Sequence, residues 1–361
     1  MKNINLSLIF IIVMIMAGCG GGGSSTTPTS DVAATIAAPV TTCTNGGTNF
    51  PTCTAPSASN IVTTVPAATY AAGSPAATMF TQINSLRASI GSGLLAQNAK
   101  LDTSVNAHMN YLNLNGNNGV SWHDETSGLP GFFGVDPQTR ATTAGYVGSA
   151  GEVIASIGIA NDGSWCTSEW ENSVYHIGVL FYPAFDAGIS VGNLSGNLTG
   201  FTMCIFDYGS PMTAGGNSMQ LPATGSVLAF PFAGMTNVAT SFNNQAETPV
   251  PVPDLNGIGH PVTVSLSTNG ANAPKVAVTL FTITPQSGAT AGVAVATRIL
   301  VPTGTTTNGP ILVVDPEIAV GTVALIPITA LSTNTVYAVV FTATVNGSTV
   351  TKSWSFTTGA Q

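Results

Sequence analysis

The sequence predicts a multidomain protein, with a layered α/β (α-β-α) module followed by an all-β sandwich. Three observations predict it. Between residues 78 and 210, apolar residues at helical spacing alternate with short strand-like runs. From 219 to 359 the apolar runs are short, β-branched and bounded by Gly, Asn, Pro or Thr. The 361 residues are 44% hydrophobic and include 15 Phe, enough to fill more than one core.

At the N-terminus, Lys2 precedes an almost wholly apolar run from Leu6 to Ala17. Roughly a dozen residues is the length of a signal-peptide core, whereas a spanning helix needs about 20. The ending Met16-Ala17-Gly18-Cys19 resembles a bacterial lipobox, with Met16 where Leu is usual. That resemblance implies that residues 1–19 are a lipoprotein signal peptide. Cys19 then becomes the lipid-carrying first residue of a protein held at the membrane by its acyl chains. Gly20 after it, with no Asp there, implies outer-membrane sorting. The alternative is an ordinary cleaved leader with an incidental Cys.

Residues 20–77 are rich in Gly, Ser, Thr, Pro and Ala and are expected to form a flexible tether. Setting Cys19 aside leaves four cysteines, an even number suited to an oxidising compartment. They are paired here as Cys43–Cys53 and Cys166–Cys204, worth about 3 and about 4 kcal/mol in the chain-entropy model. Their spacing is not that of a zinc ribbon.

Within residues 78–210, Phe80, Ile83, Leu86 and Ile90 mark one helix that Gly91 ends. Asp102 can cap a second, with Val105, His108, Met109 and Leu112 on one face. His108 reads as a core histidine. A third helix is expected over Cys166 to Tyr175 with Trp170 inward. Ile189 to Val191 and Phe201 to Phe206 read as strands.

The same stretch carries a family resemblance. Ile83-Asn84-Ser85-Leu86-Arg87, Asn106-Ala107-His108 and Trp122-His123 look like the opening of a CAP (SCP) domain. That superfamily includes cysteine-rich secretory proteins, antigen 5 and pathogenesis-related proteins. Ser127-Gly128, Arg140 and Gly145-Tyr146 follow, then Gly151-Glu152-Val153-Ile154-Ala155 in place of Gly-Glu-Asn-Ile-Ala. Trp170-Glu171-Asn172-Ser173-Val174-Tyr175-His176 is similar to the bacterial Trp-x-x-Ser-x-x-His motif. Phe185-Asp186-Ala187-Gly188-Ile189 and Phe206-Asp207-Tyr208-Gly209 match the closing strands.

The resemblance implies a cleft lined by His123, Glu152 and His176, with Ser173 near the place of a second Glu. Two neutral imidazoles and a carboxylate suit a divalent metal such as zinc. The same trio suits general acid–base work, which makes these residues the catalytic candidates too. A buried polar cluster that only ties helix to sheet is the structural alternative. Glu169 and Glu171 lie close enough in sequence to stand in for the missing acid.

In residues 219–359, seven strands are expected: Val262 to Leu266, Val276 to Thr284, Val293 to Leu300, Ile311 to Val314, Val323 to Ile328, Val336 to Val345 and Ser353 to Thr358. Asn346-Gly347 is a hairpin turn. Thr335-Val336-Tyr337 and Trp354-Ser355-Phe356-Thr357-Thr358 resemble bacterial Ig-like modules of cell-surface proteins. His260 reads as a loop residue.

Charged residues are 6% of the chain and its net charge is −8, which excludes a basic nucleic-acid binder. Three basic and ten acidic residues between Phe80 and Gly209 favour cationic ligands on the first module. A single long apolar run excludes a multi-span membrane protein. No nucleophile elbow, His-Glu-x-x-His helix, phosphate loop or dinucleotide fingerprint is present. The expectation is a lipid-anchored envelope protein whose first module binds an envelope or extracellular ligand. An envelope hydrolase using the same cleft, or an adhesion scaffold without pocket chemistry, are the alternatives.

Overall fold

The computed structural model describes residues 59–360 except 159–162, 196–197, 215, 267–274, 288–289 and 308. It also describes two short paired strands, β1 (Cys43–Thr44) and β2 (Thr52–Cys53). The chain divides into Met1–Thr35 and Ile36–Gln361. The signal-peptide and Cys19 lipidation readings lie outside the described residues. Cys43 and Cys53 are register partners in the β1–β2 pair, but their side chains lie outside the described set, so that pairing does too.

Helix α1 (Pro75–Ile90) starts where the Ser74 hydroxyl accepts from the Ala77 N–H (3.2 Å), with Pro75 at its first position. It stops at Gly91, whose φ of 86° gives the left-handed cap. Its buried face is Met79, Phe80, Ile83, Arg87 and Ile90; Leu86 is only partly buried. Arg87 is buried without a carboxylate. It donates to the carbonyls of Gly93 (2.7 Å), Val179 (3.3 Å), Leu180 (3.2 Å) and Tyr182 (2.9 Å).

The central sheet holds β3 (Ala96–Gln97), β4 (Gly148–Gly158), β5 (Asp186–Asn193), β6 (Phe201–Thr213) and β7 (Gly216–Asn217). Their order is β3-β5-β6-β4, with β7 paired to β6. Four more helices accompany it: α2 (Ala99–Asn115), α3 (Pro137–Thr143), α4 (Ser164–Glu171) and α5 (Gly178–Phe181). Side chains alternate along β6. Cys204 and Phe206 pack with Met79, Ile83, Trp170 and Leu180, whereas Met203 and Ile205 pack with Val105, Met109 and Leu112 of α2. The disulfide Cys166–Cys204 joins α4 to β6.

Two local expectations change. The cap of α2 is Asn98, which accepts from the Lys100 N–H (3.0 Å), not Asp102. Asp102 sits inside the first turn and accepts from Tyr70 Oη (2.6 Å), Gln97 Nε2 (2.7 Å) and the Ile189 N–H (3.1 Å), so it ties helix to sheet. Helix α4 ends at Glu171, and the segment to His176 forms a turn instead. The end of the expected tether is also held. Asn60 exchanges hydrogen bonds with Met219 and Leu221, and the Val62 N–H donates to Gln220 Oε1 (2.6 Å).

Beyond β7 the described elements are strands and one short 3-10 turn, Asn244–Ala246. After β8 (Val227–Phe230), β9 (Ser241–Phe242) pairs with β10 (Ile258–Gly259). Then come β11 (Val262–Leu266), β12 (Val276–Ser287), β13 (Thr290–Ala291), β14 (Thr297–Val301) and β15 (Thr306–Thr307). The series closes with β16 (Leu312–Val314), β17 (Thr322–Pro327), β18 (Val336–Val345) and β19 (Ser348–Thr357). One sheet runs β16-β14-β17-β11-β8; the other runs β13-β12-β18-β19 with β15 beside β12. Val264, Ile299, Val323 and Leu325 of the first share a core with Phe281, Ile283, Val339, Phe341 and Phe356 of the second. Asn346 (φ 50°) and Gly347 (φ 87°) make the two-residue turn between β18 and β19. The protein is thus a strand-rich α/β molecule with several sheets. His260, expected in a loop, is 2% exposed between β10 and β11.

Candidate functional site

Glu152 stands on β4, where its register partner on β6 is Asp207. Its carboxylate is buried and accepts from Arg140 Nη2 of α3 (2.9 Å) and His123 Nδ1 (3.0 Å). Burial pushes the Glu152 carboxyl up, but His123, Arg140 and His108 outweigh it and hold its pKa below the usual value. Arg140 also donates to the His123 carbonyl (2.8 Å), fixing the loop that carries the imidazole. Behind them lies His108, wholly buried on α2. Its Nε2 donates to the Trp122 carbonyl (2.9 Å) and its Nδ1 lies 2.9 Å from Glu125 Oε1. His108 is therefore the core histidine its helical face suggested. Asp207 is sealed, with Ser104 and the Glu152 carboxylate as its polar neighbours. Burial first, then the Glu152 charge, pushes its pKa well above the ordinary carboxylate value.

His176 has a different partner. Its Nδ1 lies 2.9 Å from Glu247 Oε1 and 3.1 Å from Ser173 Oγ. Glu247 follows a short 3-10 turn (Asn244–Ala246) far along the chain. Its carboxylate also accepts from Ser173 Oγ (2.5 Å) and from the N–H groups of Val174 (2.9 Å) and Tyr175 (2.8 Å). Burial raises the Glu247 pKa, yet the His176, Ser173 and Val174 hydrogen bonds pull it below normal. The carboxylate accepts, so Nδ1 of His176 carries a proton, and in a neutral ring Nε2 is then the acceptor.

The structure therefore joins His123 to Glu152 and His176 to Glu247. Among the described residues, no group of three His, Cys, Asp or Glu side chains is arranged to hold a metal ion. His123, Glu152 and His176, the expected zinc set, do not form such a group: the two imidazoles hold different carboxylates, and Arg140 pairs with Glu152. Among the described residues Glu169 and Glu171 make no bond to either imidazole; the acid on His176 is Glu247. Burial raises the Glu171 carboxyl to about 7.

A cleft of about 140 Å³ is lined by Ser156, Glu169, Trp170, His176, Phe242 and Glu247, among others. His123 and Glu152 do not line it. The His176 side chain is 30% exposed, and its Nε2 makes no hydrogen bond among the described residues. The larger groove along α1, about 380 Å³, is lined mainly by Val65, Pro66, Ala68, Tyr70 and Phe80. Its polar groups are spent: Tyr70 on Asp102, Asn84 on the Leu95 backbone. The smaller cleft carries the chemistry. No protein-family model matches the chain, and no curated protein matches it.

Proposed function

We propose that this is a lipid-anchored cell-envelope protein whose CAP-type first module binds a small ligand in the His176 cleft, and whose Ig-like sandwich extends or docks that module. The observation that carries the binding reading is the His176–Glu247 pair. A buried carboxylate holds the Nδ1 proton and, in the neutral ring, leaves Nε2 as an acceptor in the wall of a polar cleft, without a partner among the described residues. The layered α-β-α reading is supported by helices packed on the two sides of β6 and by the motif order. Gly151 to Ala155 falls on β4, and Phe206 to Gly209 on β6. The sandwich reading is supported by two sheets sharing one core. Envelope placement is supported by the Met16–Cys19 motif and by a disulfide of the kind oxidising compartments favour.

The ligand follows from the lining. With a neutral His176 ring Nε2 accepts, so the ligand proposed here donates an N–H or O–H. Glu169 and Glu247 line the cleft and it has no Lys or Arg, so the ligand is neutral or cationic. A volume of about 140 Å³ is below the ~300 Å³ of ordinary ligand pockets, so it takes a small molecule or one end of a larger one. Hydrolysis is less well supported. The nearest serine hydroxyl, Ser173, lies on the Nδ1 side and is spent on Glu247.

Ethanolamine, a small donor, is a direct probe. Titrated into the full chain, it should shift the His176 ring resonances, and His176→Phe should abolish the response. Acetate should do nothing. An equal response to acetate, or none to ethanolamine, refutes the reading.

A further inference from the structure

Four successive residues after α4 are gripped by later parts of the chain. Asn172 Oδ1 accepts from His260 Nδ1 (3.1 Å). Ser173 donates to Glu247, as do the backbone N–H groups of Val174 and Tyr175. The Tyr175 hydroxyl donates to Asp315 Oδ2 (2.8 Å). The Val174 side chain, 2% exposed, packs among Phe242, Val252, Ile258, Leu300 and Ile326 rather than in the core of its own module. The turn is a plug seated in a socket made by β9, β10, β14, β17 and the Glu247 loop.

We propose that the cleft is set from outside the first module: Glu247 is a positioning residue for His176, and the turn holds its binding shape only while Val174 and Tyr175 are seated in that socket. The proposal rests on the His176 cleft being the ligand site. Its physical basis is local. The turn lies outside helix and strand, and the carboxylate that fixes His176 Nδ1 is the same one that accepts from Val174 and Tyr175. Withdrawing the plug therefore withdraws the imidazole's partner, and occupancy and seating are reciprocally coupled.

The test uses the full chain with Val174→Ala and Tyr175→Phe, alone and combined, since neither residue lines the cleft. Amide exchange at residues 174 and 175 reports seating. Long-range proton–nitrogen spectra report which nitrogen of His176 carries the proton. Amides of β18 and β19 check that the fold persists. The combined variant should exchange those two amides faster by about tenfold, the factor expected for losing one hydrogen bond to a carboxylate. His176 should lose its Nδ1–H signature, as in Glu247→Ala, and ethanolamine should bind more weakly by a like factor. Wild-type exchange and tautomer in the combined variant overturn the proposal. If ethanolamine fails to bind the wild type while exchange and tautomer respond, the ligand reading falls and the seating proposal stands.

Discussion

Replacing Asp207 by Asn should stabilise the protein at neutral pH, although Asp207 is one of its most deeply buried polar residues. Asp207 is wholly buried and faces Glu152 across the β4–β6 ladder, with Ser104 beside it. Glu152 is held ionised by Arg140 and His123, so a second charge beside it is unfavourable and the proton stays on Asp207. The folded pKa is raised above the unfolded one. The associated stability is therefore complete below the ordinary carboxylate value and is lost as pH rises towards the folded value. Each pH unit of that window costs about 1.4 kcal/mol, and two units about 2.7 kcal/mol. An amide of the same shape has no such slope. Denaturant unfolding of both proteins at pH 5, 6, 7 and 8 tests this. Glu171, raised to about 7, and His260, lowered to about 3 by burial, also bend the wild-type curve. They act on both proteins, so the difference isolates Asp207. That difference should move in favour of Asp207→Asn as pH rises. Parallel curves would refute the reasoning.

Two further outcomes follow from covalent chemistry. Breaking the disulfide by Cys166→Ser with Cys204→Ser, whose sulfurs close a separation of 38 residues, should cost about 4 kcal/mol in denaturant unfolding. A loss below about 1 kcal/mol would show that α4 stays seated on β6 without it. Cys19→Ser should move the protein from the membrane to the soluble fraction of cells, since the proposed acyl chains have no other attachment. Unchanged partitioning would sink the lipid anchor.

Much of the fold was legible because its signals are local. The period of Phe80, Ile83 and Ile90 with Gly91 behind it gave α1, and the alternation from Val336 to Val345 with Asn346-Gly347 gave the β18–β19 hairpin. Asp102 misled because a carboxylate near a helix start can cap it or brace it, and only Tyr70, Gln97 and Ile189 decide which. Residues 59–74 misled for a related reason. Their polar composition suits a tether, but Asn60 and Val62 find backbone and amide partners more than 150 residues away. At the site, the motifs grouped His123, Glu152 and His176 together, whereas the structure bonds His123 to Glu152 and His176 to Glu247. Glu247 was invisible, being a single acid ahead of Pro249 with no periodicity to mark it. The only hint was the deficit at Ser173, and that deficit pointed to Glu169 and Glu171; Glu169 lines the cleft, but neither bonds His176.

Strand β8 has a practical bearing on how this chain can be divided. Val227 and Ala229 face the all-β core, whereas Leu228 and Phe230 fill the hollow beneath α1 and α5. A truncation at residue 218, where the composition changes, would strip the helical half of two large side chains and leave its apolar floor wet. A soluble fragment of that half has to run past Phe230 and then carries an orphan strand edge; the two halves are better studied, and better engineered, as one piece.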